Sequence, residues 1–342
     1  MLDTVRERIS WLTLTNDISG REQAEAERLA AYLSKFAQNA AVHEGYVSAQ
    51  LGNDENKPNL LLCAHIDQVG FLVTDITEDG FLRIGPVGGI DRRLLLGQPV
   101  MIWGKAHLFG VISILPPHLT GGDQAVPEWG GFCVDTGYSS AEELKDKVSR
   151  GDAVTFCADE HSLLGNRIVN QGLDNRAGAA AVLCAAEELS QCENLPFNVT
   201  VAFSFQEERS GRGAKLAAAN LNPDLAIAVD TTFGYAHGEN PQETFPLGSG
   251  AAIGISPVLS KVLSDRLTET AEKHKIPWTP EVMTGTTGTD ADSLALAPGG
   301  CKVCTVSIPI RNMHTPVEVL DLADVVSTVR LLVEFAKEGG AV

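Results

Sequence analysis

The sequence predicts an α/β protein interrupted by a β-rich insertion. Three observations carry this. Apolar strands alternate with amphipathic helices near the start of the chain. From about residue 69 to 160 the pattern changes to short alternating segments punctuated by Gly and Pro. After Asn166 the α/β rhythm returns. A chain of 342 residues also exceeds the roughly 250–300 at which single cores stop growing, so two units are expected. The reading is an α/β domain at 1–68 and 161–342, with an inserted β-rich domain at 69–160.

Taken in order, residues 3–38 read as helical: a short piece, then REQAEAERLAAYLSKF with apolar positions at helical spacing and Ser19 as its N-cap. AVHEGYVSAQL reads as a strand, NDENKP as a turn and NLLLCAHID as a buried strand. In the insertion, GFLVTDITEDGFLRIG carries an Asp-Gly turn, followed by PVMIWGKAHLFGVIS, the turn-rich PPHLTGGDQAVPEWGG, the helical SAEELKDKVSR and DAVTFCA. Closely spaced strands joined by tight turns predict a small β-barrel or sandwich. Then come helix DNRAGAAAVLCAAEELSQ, strand FNVTVAFSFQEE, helix GAKLAAANL, strand DLAIAVDTT, helix LSKVLSDRLTETAEKH and strand CKVCTVSIP. A closing helix is expected from Pro316 to about Lys337, with Pro316 near its first turn.

Composition narrows the function. The chain is 44% hydrophobic, which excludes a disordered or fibrous protein. Against 44 Asp+Glu there are 26 Lys+Arg, a net charge of −18, so the cations needed to grip nucleic acid or an anionic membrane are scarce. The N-terminus lacks the apolar core of a signal peptide, and the apolar run from Ala177 to Ala186 is about half of what spans a bilayer. Seven scattered cysteines read as reduced thiols, so the expected location is cytoplasmic. Cys301 and Cys304 form a C-x-x-C, but on a strand residues i and i+3 face opposite ways, so packing is the expected role.

Polar residues interrupt the apolar strands at one recurring place. LLLCA runs into His65 and Asp67, VAFSF into Glu207 and Glu208, LAIAV into Asp230, and CKVCTVSIP is followed by His314, while Asp174 opens a helix. In open α/β sheets the carboxyl ends of the strands are where ligands bind. Each residue has an ordinary alternative: a core histidine, an N-cap, a solvated strand end, a turn. Together they crowd carboxylates that need a counter-charge, and two His with three carboxylates are donors suited to zinc or cobalt. Asp67 is spaced to hold the second nitrogen of His65. Of the adjacent Glu207 and Glu208, one is free to ligate while the other acts as a general base. His161, after Asp159-Glu160, reads as surface; Asp290 and Asp292 are divided evenly between helix capping and a role near the site.

Six ordered motifs, AHIDQVGFLV, GLDNRAG, FSFQEERSGRGA, DLAIAVDTT, TGTTGTDADS and IPIRNMHTPVE, resemble the M42 family of cocatalytic metallo-aminopeptidases, the tetrahedral (TET) and glutamyl aminopeptidase group also labelled endoglucanase. The resemblance spans nearly the whole chain. It implies an aminopeptidase-like mixed-sheet catalytic domain, with the insertion as a small barrel-like dimerisation domain. It assigns one metal to His65, Asp174 and Asp230, and a second to Asp174, Glu208 and His314. Glu207 becomes the general base on a metal-bound water, and Asp67 the partner of His65. The implied activity is hydrolysis of N-terminal residues from short peptides, with two zinc or cobalt ions per subunit. TET-type members assemble from dimers into tetrahedral dodecamers, so a homo-oligomer is implied. The chain departs from the family pattern at Arg209-Ser210-Gly211, where Val-Gly-Leu is usual, and at Asn312 for Tyr, Thr315 for Ser and Gln68 for Glu. No ligand is lost, but an added cation at Arg209 favours acidic substrate side chains. Two other functions are compatible with the residues: hydrolysis of another amide or a sugar-derived substrate, and a non-catalytic metal-binding or assembly role.

Overall fold

Four parallel strands form the spine of the molecule, in the order Asn198–Ser204, Asn59–His65, Leu225–Phe233 and Lys302–Arg311. The computed structural model describes residues 1–342 except 16, 114, 116, 117, 120–125, 299 and 340–342. The spine strands are nearly all buried, as expected of continuous apolar runs such as NLLLCA covered on both faces. One face packs against helices Leu2–Leu12, Gln23–Leu33, Leu173–Leu189 and Leu322–Glu338, the other against Arg212–Leu221 and Asp290–Leu294. Leu173–Leu189 is rich in alanine and is buried along nearly all of its length. Antiparallel strands extend the mixed sheet at both sides to eleven.

Between Gly70 and Phe156 six strands close into an antiparallel barrel: Gly70–Ile76, Leu82–Val87, Cys133–Asp135, His107–Ile112, Pro99–Trp103 and Ala153–Phe156. Alternate residues turn inward, including Phe71, Val73, Leu82, Ile84, Val100 and Ile102, and form a core separate from that of the sheet. Closure leaves no unpaired edge, which resolves the choice between barrel and sandwich. Much of PPHLTGGDQAVPEWGG lies outside the described residues.

Several elements differ from the sequence expectation. AVHEGYVSAQL is two strands, Gln38–His43 and Tyr46–Gln50, turned at Glu44-Gly45, where Gly45 has a φ of 86°. Ser19 does not cap a helix: its amide donates to the Gln68 carbonyl, and the helix starts at Gln23. SAEELKDKVSR is helical only over Ala141–Leu144. Ala251–Ile255 and Trp278–Val282 are strands that periodicity did not reveal. The closing helix starts at Leu322, capped by Asp321, because Glu318–Asp321 pairs as a strand with Arg167–Asn170. Long-range pairing outweighs local propensity there. Cys304 is buried and Cys301 partly so, and all seven cysteines are free. Among the described residues no helix is long and apolar enough to cross a membrane.

Gly178 sets how closely the alanine-rich helix approaches the sheet. A Cβ there would lie 2.2 Å from Asn175 Oδ1 and 2.8 Å from the Val229 carbonyl oxygen. Gly178→Ala is therefore expected to lower stability by about 1–3 kcal/mol, despite a helix-propensity gain of about 1 kcal/mol. Denaturant unfolding checks this; equal or greater stability would show that the helix can back away.

Candidate metal centre

The site gathers at the carboxyl edge of the spine. His65 is the last residue of Asn59–His65, and parallel register sets Ser204 beside it. Beyond Ser204 the chain turns through Gln206, at a φ of 61°, into the short helix Glu207–Ser210 carrying both glutamates. Asp230 lies inside Leu225–Phe233 and not at its end; the strand runs on for three residues beside Ile308, Pro309 and Ile310. Asp174 sits in the first turn of Leu173–Leu189, with φ −82° and ψ 106°, but the cap position belongs to Gly172. Asn175 ties this turn to the spine, its Nδ2 donating to the Val229 carbonyl at 2.8 Å, one residue from Asp230. His314 follows Lys302–Arg311 in a left-handed turn, at a φ of 61°.

All these side chains converge. His65 Nε2 lies 3.4 Å from Asp174 Oδ1 and 3.5 Å from Asp230 Oδ1. His314 Nε2 lies 3.2 Å from Asp174 Oδ2 and 3.3 Å from Glu208 Oε1. Asp174 thus offers one oxygen to each of two groups. Each group, His65 with Asp174 and Asp230, and Asp174 with Glu208 and His314, has donor atoms within 4.8 Å of one another, a spacing suited to one metal ion. Glu207 Oε2 is 3.9 Å from His65 Nε2 and belongs to neither group.

Both imidazoles are oriented the same way. His314 Nδ1 donates to the Gly89 carbonyl at 2.8 Å, and His65 Nδ1 faces the Asp67 carbonyl at 3.1 Å, with the Asp67 carboxylate at 3.5 Å. A carbonyl only accepts, so each Nδ1 carries the hydrogen and each neutral ring turns an Nε2 lone pair toward carboxylate oxygens. Lone pair facing lone pair is repulsive unless a cation lies between them or the ring is protonated. Two of the facing oxygens, Asp174 Oδ1 and Glu208 Oε1, are buried without a hydrogen-bond partner. Orphaned oxygens and inward imidazole nitrogens fit divalent cations.

The electrostatics agree. Burial favours neutral imidazole at His65, yet Asp230, Asp174 and Asp67 together raise its pKa well above the usual histidine value. Burial opposes charge at His314 too, but Asp174 and Glu208 push its pKa up to about 11. Burial raises Glu208 and Asp230 from the ordinary carboxylate value, whereas for Asp174 the two histidines outweigh burial and lower it. Glu207 is pushed up to about 10, by burial first and by Asp230, Asp290 and Glu208 with it. Negative charge is in excess here, and cations would relieve it.

Residues that support the site were only partly legible. The Asp67 carboxylate accepts the Glu207 and Glu208 amides at 3.0 and 3.2 Å, so it holds the glutamate turn as well as facing His65. Glu22 is buried and accepts the Gln206 amide at 3.0 Å; one glutamate in an amphipathic helix gave no sign of this. Asp290 opens a short helix but is not its cap, which is Thr289: Asp290 is buried against Ser204 Oγ, beneath the site, and burial raises it to about 7. Glu318 is buried between Asp174 and His314, and was hidden by its assignment to a helix. His161 is exposed and takes no part, and Glu160 pairs with Arg6.

An open cavity of about 820 Å3 leads to these groups. Its far walls include Phe233, Phe245, Val282 and Met283, and Arg209 lines it beside Glu207 and Glu208. Asn312 is not part of the wall; its Nδ2 donates to the Val317 carbonyl at 3.1 Å and shapes the turn that carries His314.

Residues 45–331 match the family described as M42 glutamyl aminopeptidase. A lysyl aminopeptidase of Pyrococcus furiosus is 33% identical over 279 residues, covering 80% of each chain. An aminopeptidase of the archaeon Desulfurococcus kamchatkensis, of known structure, is 32% identical with a TM-score of 0.93, over 99% of this chain and 96% of its own. The TET1 peptidase of Pyrococcus horikoshii, which can assemble into a tetrahedron or a large octahedral shell, is 32% identical with a TM-score of 0.88, over 98% of this chain and 100% of its own. The fold, the ordered motifs and these similarities agree: the chain belongs to the M42 family of aminopeptidases and is a peptide hydrolase.

Proposed function

We propose that this aminopeptidase releases N-terminal residues from short peptides by two-metal hydrolysis. One observation carries the reading: Asp174 turns one carboxylate oxygen to each of two donor groups, with Glu207 Oε2 3.9 Å from His65 Nε2 and in neither group. His65, Asp174 and Asp230 would hold one ion, and Asp174, Glu208 and His314 the other. The mix of imidazole and carboxylate donors suits zinc or cobalt. Ions bound there supply Lewis-acid polarisation of the scissile carbonyl and lower the pKa of water.

The remaining work falls to the chain's own groups. Glu207 takes a proton at its carboxylate from the attacking water, whose oxygen bonds to the carbonyl carbon. It then passes that proton to the leaving nitrogen as the C–N bond breaks. Asp67 keeps this base in place through the Glu207 and Glu208 amides while its carbonyl fixes the His65 tautomer. Arg209, on the cavity wall, would favour an acidic substrate side chain.

The organisation belongs to the same proposal: a catalytic domain at 1–68 and 161–342, and a dimerisation domain at 69–160. The barrel strand His107–Ile112 supports this, with Phe109 and Val111 exposed to 55% and 40%. The shells formed by the Pyrococcus horikoshii relative support a homo-oligomer built from dimers. The seven free cysteines support a cytoplasmic location.

Three outcomes are expected. Chelation should abolish cleavage of free-amine peptides, and zinc or cobalt should restore it, while N-acetylated peptides stay intact throughout. Rates on such matched pairs decide this, and restored cleavage of acetylated peptides would exclude an aminopeptidase. Glu207→Gln should lower kcat by at least about 10²–10⁴-fold with metal content nearly intact, whereas His314→Ala should lose one of two ions. Kinetics and elemental analysis of the purified variants separate these, and near-normal turnover in Glu207→Gln would remove it as the base. Sedimentation of the full chain should give a multiple of two subunits, and a monomer would refute the assembly.

A further inference from the structure

Glu318 links two segments that are far apart in sequence and adjacent at the site. It opens the strand Glu318–Asp321, is 2% exposed, and stands in register with Asn170. Its Oε2 accepts the Asp174 amide at 3.1 Å, and its Oε1 accepts the His314 amide at 2.7 Å. Neither recipient is held well by its own neighbours. Asp174 has non-helical angles inside a helical span, and His314 occupies the left-handed region that non-glycine residues adopt at a cost. A carboxylate suits this task because it has two acceptor oxygens and no donor. A carboxamide has one acceptor, and its NH2 would face the second amide donor.

We propose that Glu318 is a positioning residue that sets the spacing of Asp174 and His314, and so the affinity of the cation position formed by Asp174, Glu208 and His314. This rests on the two-metal reading above. Two of the three residues at that position hang from Glu318, against one of three at the position formed by His65, Asp174 and Asp230. The remaining residues of the latter are held independently, His65 by its strand and Asp67, Asp230 by its strand and the Thr231 amide. Damage to Glu318 therefore falls unequally on the two positions, which a general loss of stability would not do.

Zinc titrated into the metal-stripped full chain tests this, with His314→Ala identifying which binding step belongs to the His314 position. Wild type should bind two ions. Glu318→Gln should weaken the His314 position by about 10–100-fold and leave the other nearly unchanged. Glu318→Asp, which keeps the charge but is one methylene short of reaching both amides, should give a smaller loss at the same position. Thermal unfolding of each variant reports folding, and if Glu318→Gln does not fold, Glu318→Asp decides by the same criterion. Unchanged affinity at the His314 position, or equal weakening of both, overturns the positioning role. Fewer than two ions bound by wild type would instead overturn the two-metal reading, and that failure is seen before any variant is measured.

Discussion

Carboxylates buried side by side lose hydration and repel one another, and this fold gathers Asp174, Glu207, Glu208 and Asp230 around two imidazoles at one sheet edge. Much of the surrounding structure answers that cost. Asp67 and Glu318 spend their own carboxylates as acceptors for backbone amides of the crowded residues, fixing where each side chain starts. Glu22 does the same for Gln206 at the base of the glutamate turn. The arrangement stiffens the backbone around the charge cluster and leaves Asp174 Oδ1 and Glu208 Oε1 without hydrogen-bond partners.

Packing decides how tightly the cluster can close. The helix bearing Asp174 lies close against the strand bearing Asp230 because Gly178 has no Cβ to meet the Val229 carbonyl, and Asn175 ties the same turn to Val229. Larger side chains would lift Asp174 away from His65. The barrel is joined to this centre as well as to the chain: the Gly89 carbonyl, beyond the barrel strand Leu82–Val87, orients the imidazole of His314. A shift of the barrel against the sheet would therefore turn a ligand candidate, which couples two otherwise separate hydrophobic cores.

The ligand candidates were legible because each breaks an apolar strand pattern or opens a helix, and in a parallel sheet strand ends fall on one edge whatever the order of the strands. Asp230 fits the rule less well than it seemed, since its strand continues to Phe233 and its place is set by register with Ser307. Glu22, Asp290 and Glu318 carried no comparable signal. Their carboxylates act on partners 184, 86 and 144 residues away, and a contact of that kind leaves no periodicity behind.

By itself the sequence determined the α/β character, the interrupting β-rich segment and the candidates for metal ligation, because hydrophobic period, turn residues and side-chain chemistry are local properties. Tertiary structure alone decided that the insertion closes into a barrel, that Pro316 precedes a strand rather than a helix, and that Asp174 faces both histidines with opposite oxygens. Those outcomes depend on strand pairing and on distances between segments remote in the chain, and there long-range hydrogen bonds and packing outweigh local preference.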